Sequence, residues 1–231
     1  MVDFHTHILP NFDDGAEDVK ASVKMLSALK AAGFDRVVLS SHYYSNACAA
    51  EDFVKGRQYA FDKLKAAVAN EDVPKLHLGA EVYLTSLIFN NEDLIPLTVD
   101  GSGVMLTELP YDKKFSATTR ENIEKLVYNH GLTVVLAHIE RYPFLLDKGL
   151  LGELYSMGCR AQVNIEAFCG RHRRKLKKLA DKGFLFAFGT DAHSMDDLDC
   201  INDYLEAAEK AVGKDYLNSA FAYTKEKLIR C

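Results

Sequence analysis

His5 and His7 stand two residues apart in V-D-F-H-T-H, and Asp191 and His193 repeat that spacing in G-T-D-A-H near the other end of the chain. Side chains alternate along a strand, so each pair points to one side. Two imidazoles so placed can reach one ion at about 2.0–2.2 Å. Asp3 shares the face of His5 and His7 and is placed to orient a ligating imidazole from behind. Glu81, Glu108, His42 and His138 end other apolar runs, and Asp13 and Asp14 follow the first run in a glycine-containing loop. These donors are nitrogen and oxygen without thiolate, and they exceed one ion's shell. That inventory suits two or three borderline or hard divalent ions such as Mn²⁺, Fe²⁺ or Zn²⁺. Burying both pairs side by side with no ion would carry a heavy desolvation cost.

The elements that must position these groups are seven short runs, each with a polar residue at its end. They span Val2 to His7, Arg36 to His42, Lys75 to Glu81, Val104 to Glu108, Thr133 to His138, Ala161 to Glu166 and Leu185 to His193. Continuous β-branched and aromatic runs indicate strands buried on both faces, as in a parallel sheet. Amphipathic helices are predicted between them over Glu17 to Ala32, Glu51 to Asn70, Thr118 to His130, Asp147 to Met157, Arg171 to Lys182 and Asp197 to Val212, followed by a lysine-rich terminal segment. Tyr83 to Ser102 is least regular and reads as a loop or short helix at the rim. Strand–helix alternation implies right-handed βαβ units. Seven strands with polar ends favour a closed barrel, in which the first and last strands are neighbours and the two spaced pairs meet.

At 231 residues and 48% hydrophobic, the chain is long enough for one α/β barrel and reads as a single domain, 1–231. A net charge of −5 argues against a general nucleic-acid binder. No stretch approaches the roughly 20 apolar residues that span a bilayer, and the opening lacks the pattern of a secretory signal. Neither GxGxxG nor a P-loop follows any strand. Five cysteines without CxxC spacing, Cys48, Cys159, Cys169, Cys200 and Cys231, fit free thiols in a reducing cytoplasm. Thiolate phosphatases need cysteine and arginine separated by five residues, but Cys169 is followed at that distance by Lys175. Arg171, Arg173, Arg174, Lys175, Lys177 and Lys178 read as a solvated basic helix start. Lone histidines are more often structural than ligating, which applies to His77 and His130, while His172 reads as solvated. Asp13 is suited to a turn.

D-F-H-T-H followed by L-P-N-F-D-D-G-A resembles the opening of the polymerase and histidinol phosphatase (PHP) superfamily. G-A-E-V-Y, T-E-L-P, L-A-H-I-E-R-Y, V-N-I-E and G-T-D-A-H follow in order from Glu81 to His193. The set is most similar to bacterial PHP-type protein-tyrosine phosphatases associated with capsular and exopolysaccharide control. The resemblance implies a distorted (β/α)₇ TIM-like barrel with three divalent ions, Mn²⁺ foremost, at the C-terminal rim of its strands. It assigns His5, His7, Glu81 and Asp191 to a first ion. Glu81 would bridge to a second, which also takes Glu108 and His138, and Asp14, His42 and His193 would hold a third. Arg141 matches an arginine that contacts phosphate, for which its planar fork is suited.

The implied activity is hydrolysis of phosphotyrosine in a protein, with the tail of a membrane-associated bacterial tyrosine kinase as partner and the cytoplasm as location. A phenolic leaving group, with a pKa near 10, places little demand on a general acid. Two alternatives stand beside this reading: a small-molecule phosphoesterase such as a histidinol-phosphate phosphatase, and a non-catalytic metal-binding regulator. Two departures bear on the pocket. Relatives often carry a further arginine after D-A-H, where this chain has Ser194-Met195-Asp196-Asp197, and Ser40-Ser41-His42-Tyr43-Tyr44 replaces a T-P-H-H-like sequence.

Overall fold

A computed structural model describes residues 1–229; Cys231 lies outside them. The strands are β1 (Val2–Thr6), β2 (Arg36–Leu39), β3 (His42–Tyr43), β4 (Lys75–Leu78), β5 (Glu81–Tyr83), β6 (Val104–Glu108), β7 (Thr133–Leu136), β8 (Arg160–Asn164) and β9 (Phe186–Gly189). All pairings are parallel, in the orders β1-β2-β4 and β3-β5-β6-β7-β8-β9. A parallel bridge between Thr6 and Ala192 joins the ends of the first and last strands. The amide of Asp191 donates to His5 O at 2.7 Å, and that of His7 to Ala192 O at 3.0 Å. The chain thus runs as a seven-membered parallel barrel, distorted where two staves are broken and where β9 meets β1.

The predicted second and third strands are each split. Ser40 causes the first break by diverting its hydroxyl into the β1 backbone: Thr6 N donates to Ser40 Oγ at 3.0 Å, and Ser40 Oγ donates to Thr6 O at 3.1 Å. Beyond it the chain shifts to the other sheet, where the Glu81 amide donates to Ser40 O and Ser41 O at 2.9 and 3.0 Å. That shift sets His42 directly opposite Glu81 in register. Two distortions therefore bring two donors onto one rim.

Helices α1 (Val19–Ala31), α2 (Ala50–Ala67), α3 (Ala117–Glu124), α4 (Lys148–Ser156), α5 (Arg173–Ala180) and α6 (Ile201–Val212) match the six predicted and are shorter overall, although α2 and α3 begin one residue earlier. The first shows why. Asp18 caps α1 by accepting from Ala21 N at 2.7 Å, Met25, Leu26 and Leu29 form its buried face, and Gly33 at φ 93° ends it. Tyr83 to Ser102 holds short 3₁₀ turns at Ser86–Asn90, Ile95–Leu97 and Val99–Gly101. A seventh helix, α7 (Lys214–Tyr223), lies within the terminal segment for which the sequence reading gives only a richness in lysine. Its Phe221 packs on Phe188 and Phe34, at ring distances of 5.6 and 6.5 Å, and covers the β9 side of the barrel.

Candidate metal centre

His5 lies in β1, every residue of which is buried, His7 follows it directly and is buried too, and their Nε2 atoms converge to 3.1 Å. Asp191 Oδ1 lies 3.3 and 3.4 Å from those two nitrogens. The two spaced pairs meet, as a first-to-last strand contact requires. This contact depends on Gly189, since a Cβ there would sit 2.6 Å from His5 Cβ and 3.0 Å from His5 N. Asp191 and His138 both adopt left-handed backbone, at φ 57° and 29°. Such conformations cost of order 1–3 kcal/mol in non-glycine residues and persist where their surroundings over-determine them.

Glu81 is the hub. Its Oε2 lies 2.9 Å from His42 Nδ1, 3.2 Å from His5 Nε2 and 3.4 Å from His7 Nε2. Its Oε1 lies 2.8 Å from His138 Nε2, which is also 3.5 Å from Glu108 Oε1. Yet Oε2, fully buried, accepts no hydrogen bond. Converging lone pairs around an unbonded buried oxygen fit a cation far better than a hydrogen-bond network. The donors fall into overlapping groups: His5, His7, Glu81 and Asp191; His42, Glu81 and Glu108; and His7, Asp14, His42 and His193.

The charges agree. Burial opposes protonation of His5, but the Glu81 and Asp191 carboxylates outweigh it and push His5 up to about 9. His7 is likewise raised well above its ordinary value against the effect of burial, by Asp13, Asp191 and Glu81. Glu81 and Asp191 are held far below the carboxylate range, burial notwithstanding, with the His5 charge foremost among the causes. The carboxylates demand positive charge, and a divalent ion supplies it by displacing protons from the imidazoles.

Asp13 and Asp14 separate cleanly. Asp13 Oδ2 lies 2.9 Å from His7 Nδ1 and accepts from His42 N at 3.1 Å, behind the cluster. Asp14 Oδ1 faces it, 3.6 Å from His42 Nε2 and 3.5 Å from His193 Nε2.

Some expectations need correction. Asp3 touches no imidazole; its carboxylate accepts from Thr190 N at 2.9 Å and Thr190 Oγ1 at 2.7 Å, tying β1 to the residue before Asp191. Glu166, at the end of its run, is exposed in the 3₁₀ turn Ile165–Phe168 and outside the cluster. Asn164 acts in its stead, donating to Asp191 Oδ2 at 3.0 Å. Gln162, read only as part of a strand, places Oε1 3.2 Å from His5 Nδ1 and accepts from His138 N at 2.6 Å. The available signal was Q-x-N spacing on β8, which puts both amides on the donor-bearing side. His77 is structural, with Nδ1 2.6 Å from Asp100 Oδ2.

Arg141 lies just past β7 in the turn Ile139–Arg141. Its Nη2 donates to Asp191 Oδ2 at 2.6 Å, and its side chain is 42% exposed. The Tyr111 hydroxyl donates to Glu108 Oε1 at 2.6 Å, and its charge interaction with Arg141 helps hold the guanidinium pKa up. The guanidinium therefore stands at the mouth of the cluster with donors to spare, in a cavity of about 240 Å³ shared with Asp191 and His193.

Residues 1–230 match the family described as capsular polysaccharide synthesis, CpsB/CapC. The chain belongs to that family. Curated relatives include the tyrosine-protein phosphatase YwqE of Bacillus subtilis, 27% identical over 84% of this chain and 78% of its own length. The tyrosine-protein phosphatase CpsB of Streptococcus pneumoniae is 29% identical over 94% of this chain and 91% of its own. A chain from the crystal structures of YwqE and S. pneumoniae CpsB, described as unique metal-dependent tyrosine phosphatases, shares the fold. Its TM-score is 0.80 at 24% identity, covering 100% of this chain and 94% of that one. Histidinol phosphate phosphatase from Lactococcus lactis, solved with zinc, L-histidinol and phosphate, aligns at a TM-score of 0.52 and 15% identity over 90% of this chain and 93% of that one.

Proposed function

We propose that this chain is a metal-dependent protein-tyrosine phosphatase that acts on a phosphotyrosyl protein in capsule or exopolysaccharide synthesis. The tail of a membrane-associated bacterial tyrosine kinase, met in the cytoplasm, is its substrate. The observation that carries the reading is the buried Glu81 carboxylate, with an unbonded oxygen among three imidazole nitrogens. Membership of the CpsB/CapC family supports it.

His5, His7, Glu81 and Asp191 would hold one ion, Glu81, Glu108 and His138 a second, and Asp14, His42 and His193 a third, with Mn²⁺ as the ion. Ions in such a site lower the pKa of bound water toward neutrality and offset phosphoryl charge. Arg141 binds phosphoryl oxygens through the guanidinium donors that Asp191 does not use, and so favours the charge that develops in transfer. Asp191 holds Arg141 at that position. Gln162 and Asp13 fix the His5 and His7 rings through their Nδ1 atoms. Burial pushes the Cys169 thiol up, opposite to what a nucleophilic thiolate needs.

The deciding experiment compares phosphotyrosyl peptide with histidinol phosphate under chelation and Mn²⁺ readdition. Chelation should abolish turnover of the peptide, Mn²⁺ should restore it, and Cys169→Ser should leave it unchanged. Preference for histidinol phosphate, or a dead cysteine variant beside an active chelated enzyme, would end this reading.

A further inference from the structure

A groove of about 480 Å³ runs from Arg141 to the start of α5, walled by Glu166, Gly170, Arg171, His172 and Tyr204. It shares Arg141, Glu166 and Tyr204 with the cavity over Asp191 and His193, so the two form one continuous path from the metal centre to a strongly basic edge. On that edge Arg171 Nε donates to His172 Nε2 at 2.9 Å. Burial, with Arg171 and Lys175, lowers the His172 pKa and keeps the ring an acceptor. The two Nη groups of Arg171 are left for another partner. Arg173, Arg174, Lys175 and Lys178 are exposed, and none of them forms an ion pair among the described residues. Lys177 is the exception, paired with Asp181 at 2.9 Å. This concentration of cations makes the edge locally positive on a chain whose net charge is −5.

We propose that this edge is a docking subsite for the carboxylate side chains that flank the phosphotyrosine of a peptide substrate. The inference rests on the phosphotyrosine reading above and adds a specificity determinant remote from the chemistry. Two features favour a peptide over an anionic bilayer. The lining runs from Arg171 to Arg141, so an occupant bound along it also reaches the metal centre, which a bilayer at the basic edge would not. Exposed Glu166 on the shared wall repels an anion midway, which separates the phosphate at Arg141 from a second anion at Arg171. A guanidinium with both Nη groups open can take carboxylate or phosphate in a bidentate fork. The surrounding charges raise the encounter rate in a salt-dependent way.

The test uses the full chain loaded with Mn²⁺, with three phosphotyrosyl peptides: neutral flanks, glutamate flanks, and a second phosphotyrosine. The anionic peptides should show a KM roughly tenfold below the neutral one at low salt, with kcat unchanged. The double variant Arg171→Glu/Arg174→Glu should erase that preference while turnover of p-nitrophenyl phosphate stays at the wild-type rate. A response to the glutamate peptide supports the carboxylate subsite, and a response to the doubly phosphorylated peptide alone would make it a phosphate site and overturn the proposal. Equal KM values for all three peptides overturn it, as does collapse of p-nitrophenyl phosphate turnover in the double variant. Loss of cosedimentation with phosphatidylglycerol vesicles, with peptide KM unmoved, would mark a membrane surface and overturn it too. If no phosphotyrosyl peptide is hydrolysed, the phosphatase reading fails. Docking is then judged separately by fluorescence anisotropy of a labelled glutamate-rich peptide, which should bind wild type and not the double variant; equal binding overturns the subsite.

Discussion

Arg141 and Asp191 share a 2.6 Å ion pair through Oδ2, while the other oxygen of that carboxylate lies 3.3 Å from His5 Nε2 and 3.4 Å from His7 Nε2. One carboxylate thus couples the arginine at the mouth to the imidazoles at the floor. Asn164 holds the same Oδ2 at 3.0 Å, so Asp191 keeps a partner even without the guanidinium.

It follows that Arg141→Ala should lower kcat/KM for phosphotyrosyl peptide by roughly 10²–10³, the scale of losing one preorganised charge-stabilising donor. Bound metal should be unchanged, because Asn164 still orients Asp191. Arg141→Lys should recover only part of the rate, since an ammonium cannot form the fork. Steady-state kinetics with elemental analysis of each variant checks this; metal loss in Arg141→Ala would make the arginine a support for the centre instead.

The two neighbouring aspartates should fail differently. Asp13→Asn removes the carboxylate behind His7 and should weaken metal affinity roughly 10–100-fold without changing how many ions bind at saturation. Asp14→Asn, altering a group that faces the cluster, should lose one ion outright. Metal titration followed by calorimetry separates them, and identical behaviour would refute the division of roles.

Gly189→Ala should damage fold and site together. The added Cβ would meet both the backbone and Cβ of His5, and β1 cannot retreat without breaking its contact with the residues after β9. Overpacking of this kind costs typically 1–3 kcal/mol. Thermal unfolding should show that loss alongside reduced turnover; wild-type behaviour in both would mean that the contact between the first and last strands is slack.

Stability of the chelated protein should fall as pH rises. His5 is raised from 6.5 to about 9, so its contribution is complete below pH 6.5 and lost as pH passes through about 9. Glu140, buried and raised from 4.5 to about 8, loses its contribution over that lower window in the same direction. Melting temperatures measured from pH 5 upward should therefore decline. Glu140→Gln should remove the lower part of the fall, and saturating Mn²⁺ should remove the part due to His5. A chelated protein that grows more stable between pH 6.5 and 9 would contradict the charge balance described for Glu81 and Asp191.

Much of this was legible in the chain alone, because it depends on local rules. Period-two alternation made His5 and His7 a pair, and strand–helix order implied a parallel barrel with its polar ends on one rim. Six of the seven run ends, His7, His42, Glu81, Glu108, His138 and His193, stand in the cluster. Tertiary structure decided what local rules cannot. Whether Asp13 or Asp14 faces the cluster depends on how a loop folds over His7, and the role of Gln162 depends on a contact 157 residues away in sequence. The break at Ser40 that sets His42 against Glu81 arises from hydrogen bonds between strands, which no single run encodes. Helix α7 is not legible in the sequence, because its apolar stripe has meaning only against Phe34 and Phe188. Arg171, just before α5, reads in the sequence as part of a solvated surface, and only the fold sets it in the groove that leads to Arg141.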